Sequence, residues 1–144
     1  MELNMTLNQN IDYIENLWSD AISLEEKVVT PVTILKQQAS YLAKITQNVV
    51  HADVNLIEDF YRLSYGFGPS KFVYGFILVA PTLNNYQYKL FTIIHDIVPY
   101  PIELFFFDEK YTLQDEDDFI EILRYILSDE RTIKVVRSLI SQSV

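Results

Sequence analysis

The residues that could perform acid–base chemistry in this chain are few, because it has only two histidines, His51 and His95. His51 stands two positions before Asp53, and residues two apart on a strand point to the same face. A carboxylate beside an imidazole raises the pKa of the ring and orients it. Glu58, or Asp59 beside it, joins the pair if the strand continues that far. We treat His51, Asp53 and Glu58 as one candidate site, and a solvated polar pair as the favoured alternative.

The second histidine is predicted to have a structural role. His95 alternates with Phe91, Ile93 and Ile97 on one face of a predicted strand, whereas Asp96 points to the other face. A histidine among apolar neighbours is expected to be a hydrogen-bonded residue at the rim of the core rather than a catalytic group.

Residue types exclude several common sites of chemistry. Without cysteine, the chain has no disulfide, thiol nucleophile or sulfur-bound zinc. A calcium loop beginning at Asp108 or at Asp115 would place Phe119 or Ile126 where the final glutamate belongs. The glycine-rich run 66–71 has the wrong order for a phosphate-binding loop. We therefore expect no metal and no cofactor.

Negative charge is concentrated in one stretch, the acidic segment, residues 103–121. Only Lys110 opposes its eight acids, so eight minus one leaves −7 of the total net charge of −9. Acids in the first turn of a helix complement its dipole by about 0.3–1 kcal/mol each, but consecutive acids also repel one another. The alternative to a binding role is that these acids simply form the solvated start of a helix. The residues that we predict to bind a basic protein are Asp115, Glu116, Asp117, Asp118 and Glu121.

An aromatic group adjoins the clearest break in the pattern, Gly66-Phe67-Gly68-Pro69-Ser70. Tyr61, Tyr65 and Phe67 would be presented at a loop tip there. Tyrosine is enriched at interface hot spots because it buries much area with few rotatable bonds. These three aromatic residues are the second part of the predicted partner-binding surface.

The overall composition favours a protein partner over nucleic acid or membrane. The chain has 11 basic and 20 acidic residues, and phosphate recognition depends on Lys and Arg. Its N-terminus has neither the basic nor the apolar region of a signal peptide. No apolar run approaches the about 20 residues of a membrane helix. We therefore expect a cytoplasmic protein that binds neither nucleic acid nor membrane.

The hydrophobic periods predict one α+β domain, residues 1–144, in the order ααββββαα. A 3.6-residue period predicts four helices. The first covers 9–26, and the second runs from Pro31 to 47. The third follows a Thr112 cap with Asp115 as its box partner, and the fourth runs from a Ser128 cap to the C-terminus. A period near two predicts a four-stranded antiparallel meander with strands over 49–57, 71–80, 86–98 and 102–107. Residues 58–69 remain ambiguous.

Both faces of this sheet are predicted to be apolar. Residues 71–80 and 102–107 place large apolar side chains on both sides of the strand, although a sheet with one solvated face alternates apolar with polar residues. Helices on both sides, or a second subunit or partner on one side, would cover these faces.

These observations favour a non-catalytic protein-binding domain. Its size and charge are typical of an acidic inhibitor or immunity-type protein that neutralises a basic partner, which is an analogy of class and not of motif. A structural homodimer or complex subunit using an apolar sheet face is one alternative. A small-ligand or hydrolytic site around His51 and Asp53 is the other.

Overall fold

The computed structural model describes residues 14–25, 28–57 and 71–144. In these ranges the chain forms three helices and a five-stranded antiparallel sheet, which confirms the α+β class. The helices are α1 (Pro31–Ile45), α2 (Glu116–Leu127) and α3 (Glu130–Ser143). The strands are β1 (His51–Leu56), β2 (Phe72–Ala80), β3 (Tyr86–His95), β4 (Ile102–Phe106) and β5 (Glu109–Leu113).

Each strand of the sheet pairs with its neighbour in the chain, in the order β1-β2-β3-β4-β5. The registers pair His51 with Val79 and Phe72 with His95, and the ladder between β2 and β3 is irregular at Phe76. The predicted meander is therefore present and gains a fifth strand. β1 and β5 are its two edges.

Helix α1 begins where the sequence predicts. The side chain of Thr30 accepts a hydrogen bond from the Thr33 amide at 3.3 Å, and Pro31 occupies the first turn, where its missing N–H costs nothing. Leu35 and Ala39 are buried on its inner face. Ile45 is exposed at the end of the helix.

Both predicted caps in the C-terminal half are shifted. Thr112 does not cap α2, because it belongs to β5 and pairs with Glu103. Asp115 is the cap instead. Ser128 does not cap α3, because it ends α2 and its hydroxyl donates to the Arg124 carbonyl at 2.5 Å. The carboxylate of Asp129 caps α3 in its place.

The predicted helix over 9–26 is wrong for residues 14–25, the part that the structure describes. Side chains make local turns there: Asn16 accepts from the Trp18 amide at 3.0 Å, and Ser19 and Ser23 each accept from the amide two residues later. Such bonds compete with helix formation. A short amphipathic helix also needs a surface for its apolar stripe, and here that stripe is exposed.

All three helices pack on one face of the sheet. Their buried residues join those of the strands in one core. The predicted alternative with helices on both sides is therefore wrong for the described residues. The opposite face buries a smaller apolar strip, Val73, Val79 and Ile94, while His51 and Asp53 point outward beside it. Representative members of the main core are Leu35, Phe76, Ile93, Leu104, Phe106, Phe119 and Ile126.

Removing the buried aromatic ring of α2 should destabilise the protein strongly. Phe119 is fully buried, so Phe119→Ala should lower the free energy of unfolding by about 3–5 kcal/mol. The neighbouring Ile120 points toward solvent, and Ile120→Ala should cost less than about 1 kcal/mol. Urea unfolding of both variants checks this, and equal losses would show that α2 packs through a different face.

Candidate functional site

Two of the five predicted acidic binding residues hold the start of α2 together. An Asp115 carboxylate oxygen accepts from the Asp118 amide at 2.9 Å, and an Asp118 carboxylate oxygen accepts from the Gln114 amide at 3.2 Å. This reciprocal arrangement satisfies amides that the helix itself leaves free. Asp115 and Asp118 therefore have a structural reason to be acidic.

Further acids of the segment are opposed by nearby bases. Glu121 forms an ion pair with Arg124, one turn later on α2. A Glu109 carboxylate oxygen lies 3.1 Å from a guanidinium nitrogen of Arg131 on α3. Folding thus brings two arginines from outside the acidic segment against it, which the charge count along the chain does not reveal.

Exposed, unopposed charge remains at the start of α2. Glu116 and Asp117 are exposed, and neither forms an ion pair with another described residue. Asp108, in the turn between β4 and β5, is exposed in the same way. Of the predicted binding residues that the structure describes, Glu116 and Asp117 are the two that neither cap α2 through a side-chain hydrogen bond nor form an ion pair with another described residue.

The aromatic half of the predicted surface is not tested. Tyr61, Tyr65 and Phe67 lie outside the described residues, and so does Glu58 of the alternative site.

His51 and Asp53 share a face of β1, as the two-residue spacing predicts. The His51 Nε2 atom lies 3.6 Å from an Asp53 carboxylate oxygen, and both side chains are more than one-third exposed. They line a groove of about 430 Å3 between α1 and β1, beside Lys36 and Ser40. In the described part of the chain, no group of three potential ligands is placed to hold a metal ion. The geometry is that of two partly exposed polar side chains at the edge of the sheet, and a surface contact of this kind contributes little energy.

His95 is a buried residue at the end of the sheet. Its Nδ1 atom lies 2.7 Å from the Asp96 carbonyl oxygen, and its ring contacts those of Phe72 and Tyr74 at centroid distances of 5.8 Å. Its Nε2 atom has no partner among the described residues. Because His95 is only 7% exposed, it is the core-rim histidine that the sequence predicts.

The sequence analysis missed a surface formed by the apolar segment, which we define as residues 14–25 together with 28–29. Its apolar spacing is that of an amphipathic helix with a buried face, yet Trp18 is 77% exposed and Leu17 is 80% exposed. The turn-forming residues Asn16, Ser19 and Ser23 between the apolar positions were the signal against a stable helix. The exposed members are Ile14, Leu17, Trp18, Ile22, Leu24, Val28 and Val29.

The sequence analysis also missed a cavity of about 670 Å3 between α3 and β3, the α3 cavity. One wall is a face of α3, and the other consists of Leu83, Tyr86, Tyr88 and Phe107. No local pattern predicts it, since its walls come from segments more than 20 residues apart in the sequence.

Comparisons of the chain with protein-family models, curated proteins and solved structures find no match. Among the described residues, no helix has the length and apolar character needed to span a membrane.

The charge at the start of α2 should be measurable through Tyr100. Burial first, and then the negative charges of Glu116 and Asp115, raise the pKa of Tyr100 to about 12. Glu116→Gln should lower this pKa but leave it above 10, because burial remains. Asp117→Asn is the matched control and should change it less. Ultraviolet titration, with Tyr100→Phe to assign the signal, measures both.

The raised pKa also has a consequence for stability. A tyrosine with a higher pKa in the folded than in the unfolded state contributes stability below pH 10, and this contribution is lost as the pH rises toward 12. Tyr100→Phe should therefore make the alkaline loss of stability shallower. A wild-type slope in this variant would show that Tyr100 titrates normally.

Proposed function

We propose that this chain is a non-catalytic protein-binding domain whose partner has an apolar groove bordered by basic residues. The observation that carries this proposal is the exposure of the apolar segment. Isolated apolar side chains on a surface need no explanation, but a contiguous series of them is typical of an interaction site. Seven large apolar residues within 16 positions, including the only tryptophan of the chain, form such a series.

The spacing of this segment supports one particular mode of recognition. Ile14, Leu17, Trp18 and Ile22 would lie on one stripe if the segment became helical, and a peptide that folds on a partner presents its anchors in that way. Folding on binding also accounts for the combination of a helical pattern with a non-helical free conformation. Trp18 would be the principal anchor, because tryptophan is the commonest hot-spot residue.

The charge of the partner follows from the start of α2. Glu116 and Asp117 are exposed and pair with no base in residues 14–25, 28–57 and 71–144, so they favour the approach of a positively charged protein. We assign this region an effect mainly on the rate of association, and the apolar segment an effect mainly on affinity. Tyr61, Tyr65 and Phe67 remain proposed as aromatic contacts. The class that we propose is an inhibitor or immunity-type protein that neutralises a basic partner.

A homodimer is the second candidate, and a specific observation favours it. An apolar cavity of about 170 Å3 lies between α1 and α3 above the sheet, and Tyr41 and Ile45, both more than half exposed, line it. An exposed apolar side chain of a second copy is the occupant that this cavity would take. Sedimentation of the purified protein separates the candidates, because only the homodimer associates without another protein.

Removing the apolar anchors should weaken partner binding without unfolding the protein. Leu17→Ser with Trp18→Ser should weaken binding of the partner by about 30-fold or more, the loss expected for a tryptophan hot spot. The matched control is Ile97→Ser with Val98→Ser, a pair that is equally exposed but lies between β3 and β4. Affinity purification from the native host identifies the partner, and titration calorimetry measures each variant. Equal losses in both pairs would exclude the apolar segment as the binding site.

Reversing the exposed charge should affect how fast the partner binds. Glu116→Lys with Asp117→Lys should slow association by about tenfold or more at low ionic strength, and high salt should remove the difference. Glu121→Lys is the control, because this carboxylate is already opposed by Arg124. Stopped-flow measurements test the expectation, and a rate that is unaffected by the double reversal would remove the acidic helix start from the binding surface.

A further inference from the structure

The α3 cavity has no role in the proposed function, yet its form is that of a ligand site. Its volume of about 670 Å3 falls in the range of small-molecule pockets, which are mostly apolar with a few placed polar groups. Lining positions recur along α3 at steps of three and four residues, so one helix face forms a continuous wall. These positions are Arg131, Lys134, Val135, Ser138, Leu139 and Gln142.

The edge of the cavity contains an aromatic residue in a costly conformation. Phe107 has φ of 51°, in the left-handed region that bulky residues seldom adopt and that costs on the order of 1–3 kcal/mol. It follows Phe106 in a two-residue turn, at a position where glycine is usual for positive φ. The ring is 47% exposed, so burial compensates for only part of this cost. The conformation nevertheless holds an aromatic ring at the opening of the cavity.

One of the two cations in the wall is already neutralised. Arg131 lies 2.9 Å from an Asp129 carboxylate oxygen and 3.1 Å from a Glu109 carboxylate oxygen, and its guanidinium carbon is 4.8 Å from the ring centroid of Phe107. These contacts fix Arg131 as a structural part of the wall. A ligand therefore gains little from its charge.

Lys134 differs, because it forms no ion pair with any residue that the structure describes. It lies one turn from Ser138, whose hydroxyl oxygen is 3.0 Å from the side-chain amide nitrogen of Gln142. The Gln142 amide also donates to the Ser138 carbonyl at 3.3 Å, so its position is restrained. The wall thus combines one uncompensated positive charge with two polar side chains.

We propose that the α3 cavity binds a small aromatic molecule bearing one negative charge, a carboxylate or a sulfonate. The aromatic body lies between Tyr86, Tyr88 and Phe107 on one side and the apolar part of α3 on the other, where rings pack favourably. The anionic group accepts a charge-assisted hydrogen bond from Lys134. This site is independent of the apolar segment.

Two fluorescent probes with closely related aromatic bodies test the role of charge. The first, 1-anilinonaphthalene-8-sulfonate, is an aromatic monoanion, and N-phenyl-1-naphthylamine is its neutral counterpart. All titrations use a Leu17→Ser, Trp18→Ser background, so that the apolar segment binds neither probe. We expect the anionic probe to bind with one-site stoichiometry.

The decisive variants lie on the same helix. Lys134→Gln should weaken binding of the anionic probe by about tenfold, which corresponds to the loss of one charge-assisted contact, and leave the neutral probe unchanged. Arg137→Gln removes the same charge from an exposed position of α3 that does not line the cavity, and should change neither affinity. Equal effects of the two substitutions, or no binding of the anionic probe, would overturn the proposal.

Filling the cavity gives an independent readout. Ser138→Trp should abolish saturable binding of both probes, and unchanged binding would place them elsewhere. Circular dichroism establishes that each variant is folded. If Ser138→Trp does not fold, the Lys134→Gln and Arg137→Gln pair decides the question alone.

Discussion

The packing of three helices against one face of a single sheet is the constraint on which the other features depend. Because α1, α2 and α3 share this face, their apolar stripes form one core with the strands. The opposite face carries the buried residues Val73, Val79 and Ile94 beside the more exposed His51 and Asp53 of β1. The apolar side chains of residues 14–25 and 28–29 lie outside the main core and are exposed.

Arg131 connects the start of α3 with the β4–β5 turn. Its guanidinium group contacts Asp129 at the start of α3, Glu109 at the start of β5, and the rings of Phe106 and Phe107. Because the guanidinium group is planar, it binds carboxylates in its own plane and aromatic rings across its face, so these contacts fix its orientation. A single residue thereby fixes the relative position of a turn and a helix, and both contribute to the α3 cavity.

Sequence reasoning succeeded where local chemistry decides the structure. The Thr30 cap and Pro31 determine the start of α1, and the spacing of Phe119, Leu123 and Ile126 determines the inner face of α2. It failed where a tertiary contact decides. The short, partly charged strand Glu109–Leu113 is specified by pairing with β4, and no pattern of its own predicts it. The sequence shows where the acids of the acidic segment stand in the chain, but only the fold shows which of them are opposed by arginine. The apolar segment becomes helical only if a surface is present to bury its apolar stripe, and the sequence pattern does not show whether such a surface exists.

The exposed apolar segment also affects how long the protein survives. Proteases cleave exposed irregular backbone much more readily than packed helices or strands, so residues 14–25 are an accessible target in the part of the chain that the structure describes. A cut there removes Trp18 but leaves α1 and every later element intact. A partner that covers the segment would block that cut. Turnover would then differ between free and bound molecules, and the amount of intact protein would follow the supply of its partner.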